Sequence, residues 1–277
     1  MDRVKELQSI VKSFFGHEGR EGLVGGSSPR NLFKNEEEAI THFKNMGIGL
    51  EFKYGDRQTK LNRIEIEQLN DVAKSVAHIT SKYPLKNKHM FENIVIDNTM
   101  QENHRGMWSG SFYPSSPMDS HGNILLNMKA LMDYKTGANI ATSLKETLIH
   151  EYGHALHHEY EAFNWDNFAN RLPLEGLKPV SSKTGALMSD LYDLRETISK
   201  GIRGDDEFQN LTSADLHYFK DLKQYAPSVY ALNNIHEYVA ESFLAREKGQ
   251  ELSPFSQKVL KEIIDSKPDW KIKRALF

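Results

Sequence analysis

The sequence predicts an α+β fold: a small mixed sheet, one long helix against it, and a mainly helical C-terminal part. Three observations lead there. Short apolar runs with strand-like alternation occur in the first half, in "IGLEFKY", "FENIVIDN" and "GNILLNMKAL". Helical patterns of uneven length separate them, which does not suit the regular alternation of a doubly wound sheet. Beyond the long helix near residue 150 the chain reads as helical and loop-rich, with no internal repeat.

Each element has its own justification. "MDRVKELQSIVKSFFG" alternates charge with apolar residues at helical spacing and reads as a short amphipathic helix over 1–15. Residues 16–36 read as a linker, because Gly16 to Asn31 hold five glycines, two serines and a proline. That stretch is similar to short Gly-rich segments of phage portal and minor-head polyproteins. The main domain is expected over 37–277. "NEEEAITHFKNMG" suits a helix ended by Gly47, and "IGLEFKY" a strand. In "IEIEQLNDVAKSVAHITSKYP" the apolar positions Leu69, Val72, Ala73, Val76, Ala77 and Ile79 mark a packed helix, stopped by Pro84. "FENIVIDN" is a strand, "GMWSGSFYP" (106–114) an exposed strand, and "GNILLNMKAL" a third. The long helix is "ATSLKETLIHEYGHALHHEYEAF", with Thr142 or Ser143 as its cap and Glu146 at capping-box spacing from Ser143. A helical insertion follows over about 161–226, with "SDLYDLRETISKGI" and "SADLHYFKDLKQY" as its helices. The helices "NNIHEYVAESFLAREKG" and "SPFSQKVLKEIIDS" come last, the second capped by Ser253.

Composition narrows the chemistry. The 277 residues suffice for one large domain or two modest ones. A net charge of -3 supplies no basic patch for nucleic acid. The chain has no cysteine, so any metal ligands must be His, Asp or Glu. No run of apolar residues is long enough to span a membrane, and no signal peptide is recognisable. The expected location is therefore the cytoplasm or a virion, or outside the cell by a non-classical export route.

His150-Glu151-Tyr152-Gly153-His154 is a His-Glu-x-x-His motif on a helix. Residues four apart share a helix face, so two imidazoles can reach one ion. Glu151 sits one position round, where it can act as general base toward a water. A buried helix does not accept two histidines and a carboxylate without partners, and Leu148, Ile149, Ala155 and Leu156 mark this one as buried. Gly153 points to close approach by another backbone or a ligand. His158 lies eight residues after His150, about 12 Å along the axis, too far to share the ion. His157 and His158 read as surface groups, or as groups supporting the ligands. The metzincin pattern asks for glycine at 157 and histidine at 160, where this chain has His157 and Tyr160.

A third ligand must come from elsewhere. In "YALNNIHEYVAESFLA", Glu237 and Glu241 are four apart on one helix face, beside the apolar Val239, Ala240, Phe243 and Leu244. Carboxylates flanking a buried stripe need a compensating charge, which a divalent ion supplies. Glu237 is then the third ligand, and Glu241 the group that hydrogen-bonds the free nitrogen of a ligating histidine. Ala240 is small enough to let the two helices come close.

With these residues in view, the chain resembles the catalytic domain of anthrax toxin lethal factor and the related Pro-Pro endopeptidases. The resemblance rests on His150 to His154 and on Tyr230 followed by Glu237-Tyr-Val-Ala-Glu241. It extends loosely from about residue 64 to the C-terminus. It implies a zincin-like metallopeptidase fold with one zinc ion on His150, His154 and Glu237. It also implies Glu151 as base, Glu241 behind the ligands and Tyr230 as a hydrogen-bond donor to the oxyanion. The spacing from His154 to Glu237 is longer than that family leads one to expect, which the insertion explains. The expected activity is that of a zinc endopeptidase on an extended peptide or protein, held along "MWSGSFYP" as an edge strand. The alternatives are a phage head-associated or toxin-type protein whose zinc only braces the fold, and a metal-dependent hydrolase of small amides.

Overall fold

The computed structural model describes residues 31–55, 60–101, 104–111, 113, 116–128, 141–164, 181–203 and 221–266. The expected N-terminal helix and most of the glycine-rich linker lie outside the described residues, as does most of "SADLHYFKDLKQY". Residues 31–35 pack onto the domain. Phe33 is buried, and Asn70 accepts the backbone N–H groups of Leu32 and Phe33.

Helix α1 (Glu36–Asn45) is capped by Asn35 and turns through Gly47 into β1 (Gly49–Lys53). Helix α2 (Arg63–Lys82) begins at a capping box of Asn62 and Glu65 and ends two residues before Pro84. Strands β2 (Asn93–Asp97), β3 (Gly106–Ser111) and β4 (His121–Leu126) follow. The sheet order is β1-β2-β4-β3, with β1, β2 and β4 parallel and β3 antiparallel on β4. β3 is therefore an edge strand. Asn127 N–H bonds to Arg105 C=O next to the pair Gly106–Leu126. In that register the backbone groups of Gly106, Trp108 and Gly110 turn toward the free edge.

Helix α3 (Leu144–Phe163) carries the His-Glu-x-x-His motif. Of the two candidate caps, Ser143 is the one that caps it, accepting the N–H of Glu146, while the Glu146 carboxylate accepts the N–H of Thr142. Helix α4 (Ser182–Arg203) falls in the expected insertion. Helix α5 (Ile235–Glu247) and helix α6 (Pro254–Leu260) complete the order, and α6 widens into a π-turn over Lys261–Asp265. Among the described residues no helix is long and apolar enough to cross a membrane.

The apolar side chains form two clusters. One gathers the sheet residues Leu50, Ile94, Ile96, Ile124 and Leu126 with Leu69, Val72, Val76 and Ile79 of α2 and Leu148 and Tyr152 of α3. The other gathers Leu187, Leu191 and Ile198 of α4 with Ile235, Tyr238 and Val239 of α5. Phe243 of α5 belongs to the first cluster, and Tyr160 of α3 to the second. Helices α3 and α5 thus form the seam between a sheet-based half and a helical half, and the candidate site lies on that seam.

Candidate metal centre

Close contact of α3 with α5 builds the site. A Cβ added at Gly153 would come 2.9 Å from Ala240 Cα, so the glycine admits the backbone of the facing helix. The small side chain of Ala240 does the same from the other side. At that separation the first turns of α5 reach His150 and His154.

Three atoms converge. His150 Nε2 and His154 Nε2 are 3.2 Å apart, and Glu237 Oε2 lies 3.2 Å from the first and 3.4 Å from the second. Tetrahedral ligands at the usual zinc distances of about 2.0–2.1 Å are separated by about 3.3 Å. The donor set is two imidazoles and a carboxylate, and among the described residues it is the one group of three or more that could hold a metal ion. Glu237 Oε2 is buried without a hydrogen-bond partner. The residues present fit a divalent ion.

The surroundings are arranged for the same purpose. Asn234 caps α5 and accepts the N–H of Glu237, which fixes the backbone of that residue. Glu241, one turn on, is fully buried with Oε1 2.8 Å from His150 Nδ1. A proton on Nδ1 facing that carboxylate leaves the Nε2 lone pair aimed at the three-atom centre. Burial works against charge on His150, but Glu237 and Glu241 outweigh it and raise its pKa well above the ordinary value. Burial likewise opposes charge on Glu237, yet His150 and His154 pull its pKa well below the carboxylate range. Positive charge among these atoms, carried by an imidazole proton or by a bound metal ion, offsets the desolvation of the Glu237 carboxylate.

Glu151 is buried, and burial raises its pKa. Its Oε2 accepts the backbone N–H of Trp108 on β3 at 2.6 Å. Gly106 makes room for it, since a Cβ there would stand 2.9 Å from Glu151 Oε1 and 2.5 Å from Thr147 Cγ2. Tyr230 opens a 3-10 turn (Tyr230–Asn233) just before α5. Its ring centroid is 6.1 Å from that of His150. Burial and the nearby Glu237 carboxylate raise the pKa of its phenol, which stays protonated at neutral pH.

All six residues singled out in the sequence therefore meet in one place. The surface reading of His157 does not hold. Its ring is completely buried, with Nε2 3.5 Å from Glu161 Oε1, because α5 and the start of α4 cover that side of α3. The pair His157 and Glu161, at i and i+4 on α3, was the available sign of a buried partner. One contributor had no sequence signal as a site residue. The N–H of Trp108 is backbone, which any residue supplies.

No family model and no curated protein matches the chain. A solved structure from Bacteroides caccae ATCC 43185, called a "putative zinc-binding metallo-peptidase", is similar at 12% identity with a TM-score of 0.35. The match covers 84% of this chain and 86% of that one. So low a TM-score decides nothing about this chain, whose chemistry rests on its own residues.

Proposed function

We propose that this chain is a zinc-dependent endopeptidase of zincin type, with kinship to the lethal factor and Pro-Pro endopeptidase group. The convergence of His150, His154 and Glu237 carries the reading. These three residues would hold one zinc ion, with Glu241 orienting His150 from behind. When bound, zinc supplies Lewis acidity, which brings the ionisation of water near neutrality and polarises a carbonyl.

The chain's own groups do the rest. Glu151 takes a proton from the water whose oxygen attacks the scissile carbonyl carbon, and passes it to the amine nitrogen as the carbon–nitrogen bond breaks. Its raised pKa brings it nearer to the strength of a base working at neutral pH. The phenol of Tyr230 donates a hydrogen bond to the oxygen that gathers negative charge. An extended peptide substrate would lie along β3, whose outer backbone groups, apart from the Trp108 N–H that holds Glu151, face the free edge. Among the described residues three ligands converge, which favours a catalytic over a structural zinc, since the latter takes four protein ligands.

The test is to incubate the zinc-loaded full chain with an extended-peptide library, with and without chelator, and to read the products by mass spectrometry. Chelator-sensitive internal cleavage is expected. Stoichiometric zinc without cleavage would leave the bracing role, and cleavage confined to small amides would favour the amidase reading.

A further inference from the structure

Four aromatic rings cluster beside the metal centre, with the three imidazoles of His157, His158 and His236 in a triangle. Trp108 of β3 stacks on His158 of α3, with centroids 4.2 Å apart and planes 20° apart. His158 faces His236 of α5 at 5.4 Å and 21°, and His236 faces His157 of α3 at 4.6 Å and 35°. At the inner end, His157 Nε2 is 3.5 Å from Glu161 Oε1. Glu161 also accepts the N–H of Ser181 at 2.6 Å and the hydroxyl of Thr184, which ties it to the start of α4. At the outer end the indole N–H of Trp108 bonds to Met90 C=O at 3.0 Å. A Cβ at Gly110 or Gly122 would come within 2.6 Å of the indole, so two glycines let the ring lie against the sheet.

Three of these rings are imidazoles, but the cluster is not a second metal site. Among the described residues the ligand atoms that gather closely enough for one ion are those of His150, His154 and Glu237, and not those of these three histidines. What the cluster does is join three elements at the place where each contributes to the centre. Trp108 provides the N–H that holds Glu151. His157 and His158 follow His154 by three and four residues on α3. His236 immediately precedes Glu237 in the first turn of α5.

That first turn carries a difficult task. Helix ends fray, and Glu237 must bring a carboxylate against two imidazole nitrogens before any ion attracts it. The Asn234 cap fixes its backbone N–H but not the rotation of the turn about the helix axis. We propose that His236 is a positioning residue: its ring, packed against both His157 and His158, sets the rotation of the first turn of α5 and so places Glu237 on the metal. This rests on the metal-centre reading above.

The full chain is stripped of metal and titrated with zinc against a chromophoric chelator, and its cobalt form is examined by visible spectroscopy. The wild type, His236→Leu, His236→Phe and Glu237→Ala are compared. Leucine keeps apolar bulk without a ring face, whereas phenylalanine keeps the ring without its nitrogens. His236→Leu is expected to bind zinc about ten-fold more weakly or worse, as for loss of other groups that orient ligands. Its cobalt spectrum should shift toward that of Glu237→Ala, and His236→Phe should stay within about three-fold of wild type. Wild-type affinity in His236→Leu overturns the proposal, as does equal weakening in the leucine and phenylalanine variants. Should His236→Leu not fold, His158→Leu removes the ring face on the other helix, and unchanged zinc affinity there overturns it equally. Failure of the wild type to bind zinc would instead remove the metal centre itself, so the two failures are distinct.

Discussion

At the residue scale the centre divides its labour between groups that hold and a group that reacts, and substitution separates them. Glu237→Ala removes one of three ligands and leaves two imidazoles beside Glu241. It should lose zinc in the presence of a weak chelator, whereas Glu151→Gln should retain stoichiometric zinc by atomic absorption. The same Glu151→Gln protein is expected to lose about 10²–10⁴-fold in kcat, the usual contribution of a positioned base. An active Glu151→Gln enzyme would take that role from Glu151. Tyr230→Phe removes one donor to the oxyanion and should lower kcat by about 10²-fold with little change in KM. A rise in KM at constant kcat would mean that the phenol binds substrate and reaction centre alike.

At the element scale the decisive contact is Gly153 against Ala240. Alanine at a helical glycine ordinarily adds about 1 kcal/mol through propensity. Here its methyl would meet backbone at 2.9 Å, and two helix backbones cannot yield locally. Overpacking of that kind costs about 1–3 kcal/mol, so the steric effect wins. Gly153→Ala should melt at lower temperature than wild type and bind zinc less tightly, because parting α3 from α5 parts His150 and His154 from Glu237. A raised melting temperature would show that the helices have room to spare. This contact also shows what a sequence can disclose. The glycine inside a helical run and the small residue beside two carboxylates both marked a close approach, and spacing alone put both imidazoles on one face. Strands β1, β2 and β4 were legible because their apolar runs are short and bounded by turn residues. The Asn62 cap of α2 was missed because the apolar period starts only at Ile64. The hold of β3 on Glu151 was illegible because backbone amides carry no residue signature.

At the scale of the whole molecule, one buried carboxyl on α3 joins the helix to the far end of the sheet. Glu159 accepts the N–H of Asn87 at 2.8 Å, and Asn87 in turn donates to the carbonyls of Pro117 and Ser120 before β4. Burial raises the pKa of Glu159 to about 7, though the backbone N–H groups of Asn87 and Lys86 partly offset it. The folded state therefore holds a proton that the unfolded chain releases near pH 4.5. Unfolding releases that proton between about pH 4.5 and 7, so stability falls as pH rises through this window and the loss is complete above it. The shift corresponds to on the order of 3 kcal/mol. Glu146, Glu161 and Glu247 have lowered pKa values, and their stabilisation is already complete above about pH 5, so they do not mask the effect. Histidines titrate in the same window, which makes a difference measurement necessary. Glu159→Gln keeps an oxygen for Asn87 and cannot ionise. Urea unfolding of the metal-free wild type and this variant should show the variant gaining on wild type by up to about 3 kcal/mol between pH 5 and pH 8. A constant difference across that range would mean that Glu159 titrates as an ordinary carboxyl, and that the junction of α3 with the sheet is open to water.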